Sequence, residues 1–351
     1  MAARVEIDLS ALVANWRMLA GRAAPAYAAA VVKADAYGLG ADQVSRALAR
    51  SGCRRFYVAT LEEGVALRAS LGSGPEVAVF HGPPPGAVPD FVVHQLEPVL
   101  NSLEQIELWI DSGGAPHPAS LHLDTGMNRL GVGSAQWVEA ARLQPQPTHL
   151  ISHLACADEP DHPMNNRQLA EFRQAVSHWP NARLSLAATA GAYLGADFAF
   201  DEIRPGIGLY GGGPTPREGK GPRPVVRVTA PILQLRTVTR GETVGYGASW
   251  TSDGDRTLAT VAIGYADGFL RSASNRGYGV VHGERRPILG RVSMDLMMLD
   301  VTGLPAAIGD PVELIGPALP IGDQADAMCT IDYELLTRLG PRLPRIYAGA
   351  E

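Results

Sequence analysis

Of the 30 basic residues in the 351-residue chain, only Lys33 and Lys220 are lysines, and the rest are arginines. Wherever positive charge alone sufficed, arginine filled the place, so each lysine asks for a reason. Lys220 stands among glycines and prolines and reads as ordinary charge on a surface loop. Lys33 closes the apolar run 28–33 (AAAVVK), which reads as a buried strand. A primary amine there can lose its proton and attack a carbonyl, which a guanidinium cannot do. The plain alternative is a lysine whose stem lies along apolar surface and carries its charge out to water.

Other groups able to do chemistry follow apolar runs in the same way. Tyr37 comes just after Lys33, Arg129 follows Asp124, His153 and Thr189 close two later runs, and Arg204 precedes Gly206 and Ile207. An amine, two guanidiniums, an imidazole, two hydroxyls and glycine amides suit a partner that is anionic, phosphorylated and carries a carbonyl. Backbone N–H groups near Gly206, with the Tyr37 and Thr189 hydroxyls, offer a phosphate site. Pyridoxal phosphate has all three properties, and its aldehyde needs a lysine. Metal chemistry is the competing reading of His149 and His153. On a strand, residues four apart lie about 13 Å from each other, too far to share an ion. No metal is expected.

The elements that must position these groups are short runs rich in Val, Ile, Leu and Ala. Strands are predicted over 27–33, 56–60, 76–81, 96–101, 120–124, 148–154, 183–188 and 202–210. Amphipathic helical stretches lie between them, such as the one beginning at Ala41. This alternation predicts an α/β fold, a (β/α)8 TIM-type barrel, whose reacting groups sit at the C-terminal strand ends. An open doubly wound sheet is the runner-up, but no Gly-x-Gly-x-x-Gly follows the first strand. After the Gly- and Pro-rich segment 211–224 the pattern turns to β: runs at 225–229, 232–239, 258–263, 279–281, 286–289 and 311–315 predict a smaller, mainly β C-terminal domain. The division expected is 1–224 for the barrel and 225–351 for the β domain, with the strand at Val5 free to pair with the latter.

Composition narrows the rest. Hydrophobic residues make up 46% and charged residues 19%, which provides for a sizeable core rather than disorder. A net charge of −6 gives no electrostatic case for nucleic acid or an anionic membrane. No apolar run is long enough to span a bilayer, and no leader segment is read at Met1. Cys53, Cys156 and Cys329 are odd in number and far apart, which speaks for a reducing, cytoplasmic setting.

Motif by motif, the chain resembles the alanine racemases. The runs that carry the resemblance are AVVKADAYGLG from Ala30, HLDTGMNRLG from His122, SHLACAD from Ser152 and IRPGIGLYG from Ile203. They continue in the β region with VGYGA from Val244, AIGYADG from Ala262, GRVSMD from Gly290 and TIDYE from Thr330. In order and across nearly the whole chain, they are jointly specific. The resemblance implies a pyridoxal 5'-phosphate enzyme that interconverts L- and D-alanine, supplying D-alanine for peptidoglycan or degrading it. It also implies a homodimer with shared active sites. Lys33 would hold the cofactor through an imine and serve as one base; Tyr246 of the partner subunit would be the other. Arg204 would bond the pyridine nitrogen, and His153 with Arg204 would polarise the tyrosine. Arg129 would contact the cofactor's phenolic oxygen and the substrate carboxylate, which Met294 would also bind. Tyr37, Thr189, Gly206, Ile207 and Tyr333 would cradle the phosphate, Tyr265 would narrow the channel, and Asp295 would brace its loop.

Some positions depart from the family pattern. His122 stands where many relatives carry a carbamylated lysine beside the cofactor-contacting arginine, so Arg129 needs another anion, a water or His122 itself. Ala188 and Thr189 replace Asn-Ser, and Leu39 and Asp332 replace the commoner His and Asn. Rival readings are a racemase that also takes serine, a decarboxylase on the same plan, and a cofactor-carrying barrel without catalysis. Tyr246 argues against the last, since a carrier needs no second base.

Overall fold

The computed structural model describes residues 2–143, 146–214 and 221–349, so Lys220 lies outside the described residues. Seven parallel strands run in one curled sheet, in chain order from Ala30–Val31 through Arg55–Val58, Glu76–Val79, Glu97–Leu100, Ser120–His122 and His149–Ile151 to Arg183–Ser185. The eighth, Glu202–Ile203, pairs in parallel with Tyr27–Ala28, the other half of the first strand, and a parallel bridge joins Ala188 to Arg204. The sheet therefore closes into a barrel, the fold read from the alternation of runs. Arg55–Val58 and Glu97–Leu100 are buried at every position, as strands covered on both faces must be.

All eight strands are present, and each is shorter than the apolar run that signalled it. The largest difference is 202–210, expected as one strand: it ends at Ile203, and Ile207–Tyr210 form a 3-10 turn. Pro205 has no N–H to extend the ladder, although its carbonyl still accepts from Val31 at 2.9 Å. The lower end of the barrel is filled by charge. Arg55 makes a two-pronged contact with Glu97 at 2.8 and 2.9 Å, and the Tyr57 hydroxyl donates to Glu202 at 2.6 Å. A buried guanidinium tolerates this place because its carboxylate partners are at hand.

In the β domain, the two runs 225–229 and 232–239 form one strand, Val226–Val238, bent by a bulge between Ile232 and Gln234. It pairs with Arg256–Val261 and Pro311–Ile315, and with the three strands that link those partners they close into a ring of six. Met297–Asp300 and Arg345–Ala348 belong to this sheet and were not signalled by the sequence, since neither offers a long β-patterned run. The N-terminal strand Arg4–Asp8 adds to it, with Val5 opposite Val228 on one side and Arg345 on the other. Asp8 then caps the helix Leu9–Ala23, accepting from the Ala11 amide at 2.9 Å. The chain thus passes through the β sheet before it builds the barrel.

Candidate active site

Lys33 leaves the first barrel strand into an unusual turn. Ala34, Asp35, Ala36 and Tyr37 all have φ between +52° and +58°, a left-handed stretch without a single glycine. Each such residue costs about 1–2 kcal/mol, so neighbours must hold the turn. The Ala36 amide donates to the Val32 carbonyl at 2.8 Å, and those of Ala34 and Ala41 donate to the carboxylates of Glu63 and Asp35, both at 2.7 Å. The Tyr37 ring is clamped between Tyr210 and Tyr333, with centroids 4.7 and 5.9 Å away. Burial pushes the Lys33 ammonium below its ordinary basicity, the Arg129 charge adds to this, and Glu63 opposes it. A lysine so placed is more readily a free amine than one at the surface.

Opposite the amine is a wall of cations and neutral imidazoles. Arg204 is buried, its Nη1 donating to Ser185 Oγ and its Nη2 to the Ser152 carbonyl. Arg129 makes no ion pair or hydrogen bond among the described residues. His153 is pushed down to about 3 by burial, with Arg204, Arg129, His122 and Lys33 adding repulsion. His122 is pushed down to about 4 by burial, Arg204 and Arg129, against the attraction of Asp124. Both rings are neutral at pH 7, so the guanidiniums carry the fixed charge. His149 is elsewhere, in the barrel interior 3.7 Å from Glu97 and 3.8 Å from Glu202.

The far end is lined by hydroxyls. Thr189 Oγ1 accepts from the amides of Gly206 and Gly208 at 3.1 and 3.2 Å. The Gly206 amide, offered by the sequence as an anion donor, is therefore already engaged. What Gly206 contributes is room, because a Cβ there would collide with the Tyr37 hydroxyl. Burial also pushes the Tyr333 hydroxyl up to about 12, which keeps it a donor. Asp332 lines the same end and accepts from the Gly213 amide at 2.8 Å.

These groups meet in one cavity of about 980 Å³, which brings together Lys33, Tyr37, Arg129, His153 and Thr189 with Arg204, Gly206, Ile207 and Tyr333. Four sequence-derived residues are not brought there. Tyr246, Tyr265, Met294 and Asp295 stand on the β domain, and none lines the cavity of its own chain. Tyr246 is 72% exposed, Met294 54% and Tyr265 44%. The Ala266 amide donates to the Met294 carbonyl at 3.0 Å, and Arg342 pairs with Asp295 at 2.7 Å. Sequence reasoning missed Glu63, which looks like any acidic residue in a helix's first turn.

The donor set fits pyridoxal phosphate: a poorly basic amine for an aldehyde, a partnerless guanidinium for an anion, and hydroxyls where a phosphate would end. Fold and site together define a barrel enzyme whose cavity sets a half-buried lysine among donors suited to an anionic carbonyl ligand. Residues 7–214 match the family model for the N-terminal domain of alanine racemase, and residues 225–347 match that for the C-terminal domain. The chain belongs to the alanine racemase family. An alanine racemase of Rhodospirillum rubrum is 45% identical, covering 99% of this chain and 96% of the relative. One from Methylobacterium nodulans is 47% identical, covering 98% and 96%. Among solved structures, alanine racemase from Bartonella henselae with covalently bound pyridoxal phosphate superposes with a TM-score of 0.94 at 39% identity, covering 99% of this chain and 100% of that one. The biosynthetic alanine racemase of Pseudomonas aeruginosa gives 0.93 at 36%, covering 99% of each. No helix among the described residues is long and apolar enough to cross a membrane.

Proposed function

We propose that this chain interconverts L- and D-alanine with pyridoxal 5'-phosphate held by Lys33, in the cytoplasm, as a homodimer whose active sites are shared. The observation that carries the reading is the Lys33 amine, lowered in basicity, sharing one cavity with Arg129 and Arg204. When bound, the cofactor withdraws electrons from the substrate's α-carbon and makes its proton acidic. Racemisation then needs a base on each face of that carbon. Lys33 serves one face, and its depressed basicity favours the free amine that takes the proton. Tyr246 serves the other from the partner subunit; its exposure on the β domain, away from its own chain's cavity, supports this.

Arg204 holds the pyridine nitrogen. A guanidinium keeps its protons, so it would leave that nitrogen unprotonated and limit how far the bound group draws electrons from the substrate. Arg129, with the Met294 amide of the partner subunit, binds the substrate carboxylate. Tyr37, Thr189, Gly206, Ile207 and Tyr333 hold the phosphate, while Tyr265 of the partner subunit narrows the channel and Asp295 of the partner subunit braces the loop. Residues 1–224 act as the cofactor domain and 225–351 lend the second base. The free cysteines Cys53, Cys156 and Cys329 suit a reducing compartment.

The test is reduction of the holoenzyme with borohydride followed by peptide mapping. A pyridoxyl label on the peptide containing Lys33 is expected. A label elsewhere, or none on fully loaded protein, overturns the reading.

A further inference from the structure

The last strand of the β domain reaches back to the turn that follows Lys33. Along Arg345–Ala348 alternate side chains share a face, so Arg345 and Tyr347 lie on one side and Ile346, 47% exposed, on the other. Pairing of Arg345 with Val5 and of Tyr347 with Ile7 fixes the register. Arg345 Nε and Nη2 donate to the Gly38 carbonyl at 3.2 and 3.0 Å, and the Tyr347 hydroxyl donates to the Leu39 carbonyl at 2.9 Å. Gly38 and Leu39 directly follow the left-handed stretch 34–37.

The same guanidinium holds a second segment. Its Nη2 also donates to the Leu339 carbonyl at 2.7 Å, and its Nη1 to those of Gly340 and Leu343 at 2.5 and 2.7 Å. All five of its N–H groups are engaged by carbonyl oxygens, a number that a lysine with three donors cannot match. Leu339 and Gly340 follow the helix Asp332–Thr337, which carries Tyr333. One side chain therefore fastens the lysine's turn to the helix that sets Tyr333 against Tyr37, with ring centroids 5.9 Å apart.

Two glycines of the run AVVKADAYGLG make this approach possible. At Gly38, with φ +83°, an added Cβ would lie 2.7 Å from the Leu336 carbonyl oxygen. At Gly40, with φ +93°, it would overlap the Tyr347 hydroxyl. Each position joins a left-handed backbone to a close contact, which glycine alone accommodates.

We propose that Arg345 is a positioning residue for the cofactor site, assisted by Tyr347: from the chain's own β domain it fixes the far end of the Lys33 turn and the spacing of Tyr37 from Tyr333. Glu63 holds the near end of the turn at Ala34, from the barrel. The amine is thus set between anchors in two domains, and a change at Arg345 reaches the cofactor although Arg345 does not line the cavity. The inference rests on the reading that pyridoxal phosphate is held by Lys33, and it names what in the β domain keeps that lysine in place.

The test follows release of pyridoxal phosphate from the dialysed holoenzyme, together with visible circular dichroism, which reads the setting of the bound ring. Arg345→Met is expected to lose cofactor at least about tenfold faster and to alter the visible band. Arg345→Lys is expected to lie between it and the parent. Glu313→Gln is the control, since it discharges the carboxylate paired with Arg227 at 2.7 Å elsewhere in the β domain. It is expected to lower the melting temperature and to leave release and band as in the parent. Parental release and band in a folded Arg345→Met enzyme overturn the proposal; if that chain does not fold, the same result in Arg345→Lys does so. Equally fast release from Glu313→Gln also overturns it, because lost stability alone would then explain the effect. The cofactor reading fails separately, by a parent enzyme that borohydride leaves unlabelled at Lys33, whatever Arg345 does.

Discussion

The carboxylate of Glu63 binds the backbone amide of Ala34, the residue after the lysine, at 2.7 Å, and with its second oxygen the amide of Ala59 at 2.8 Å. One side chain from the helix Leu61–Leu71 thus ties the left-handed turn to the end of the neighbouring barrel strand. Glutamine at this position keeps only one acceptor. Glu63→Gln is expected to cost about 1–2 kcal/mol of stability and to weaken cofactor retention. Thermal unfolding of the holoenzyme and an absorbance titration of the cofactor check this. An unshifted melting temperature would show that the turn holds itself.

Gly206 leaves room for the Tyr37 hydroxyl. Gly206→Ala puts a methyl against the Tyr37 hydroxyl, and that ring is wedged by Tyr210 and Tyr333. Cofactor affinity is expected to fall at least about tenfold with the fold intact, since overpacking costs about 1–3 kcal/mol. Adding Tyr37→Phe removes the clash and should relax the damage in part. If Gly206→Ala binds cofactor like the parent, the crowding is harmless.

The proposed sharing of active sites makes a quantitative prediction. Lys33→Ala and Tyr246→Phe chains are each expected to be nearly inactive, general-base loss costing about 10²–10⁴-fold. Mixed and exchanged, half the dimers are hybrids with one intact site, so about a quarter of parental activity should return. Activity that stays absent after proven subunit exchange would place both bases in one chain.

The two cavity histidines set a pH dependence of stability. Their values in the fold, about 3 for His153 and about 4 for His122, lie below the ordinary 6.5. Between those limits the unfolded chain binds protons that the folded chain refuses. Stability is therefore full above pH ~6.5 and falls as the pH drops, by up to about 1.4 kcal/mol per unit for each ring. Denaturant unfolding across this range checks it, and His122→Gln should remove one proton from the slope. A profile flat between pH 6.5 and 5 would mean that both rings are charged in the fold.

Bicarbonate should not matter. A stable carbamate needs a primary amine, and position 122 is an imidazole. Racemase turnover in carefully degassed buffer is expected to equal that with added bicarbonate. Stimulation would point to an anion acting on Arg129 from solution.

The eight barrel strands were legible because most are short apolar runs buried along most of their length, and burial writes itself into local composition. Tyr246 was legible only through its motif. Its place on the β domain, outside its own chain's cavity, is decided by the fold. The β strands Met297–Asp300 and Arg345–Ala348 were not legible, since their pairing is settled by strands far away in sequence.

By itself, then, the sequence determined the eight barrel strands, most of the β runs after them, and which chemistries the chain can offer: one amine at a strand end, two useful guanidiniums, and hydroxyls beside glycine. The tertiary structure alone decided the left-handed course of Ala34 to Tyr37, the engagement of the Gly206 amide by Thr189, and the single proton on His122. The reason is physical. A strand or helix follows from the periodicity of neighbours, whereas a proton's location and a strained turn depend on donors, acceptors and charges that only folding brings within a hydrogen bond's reach.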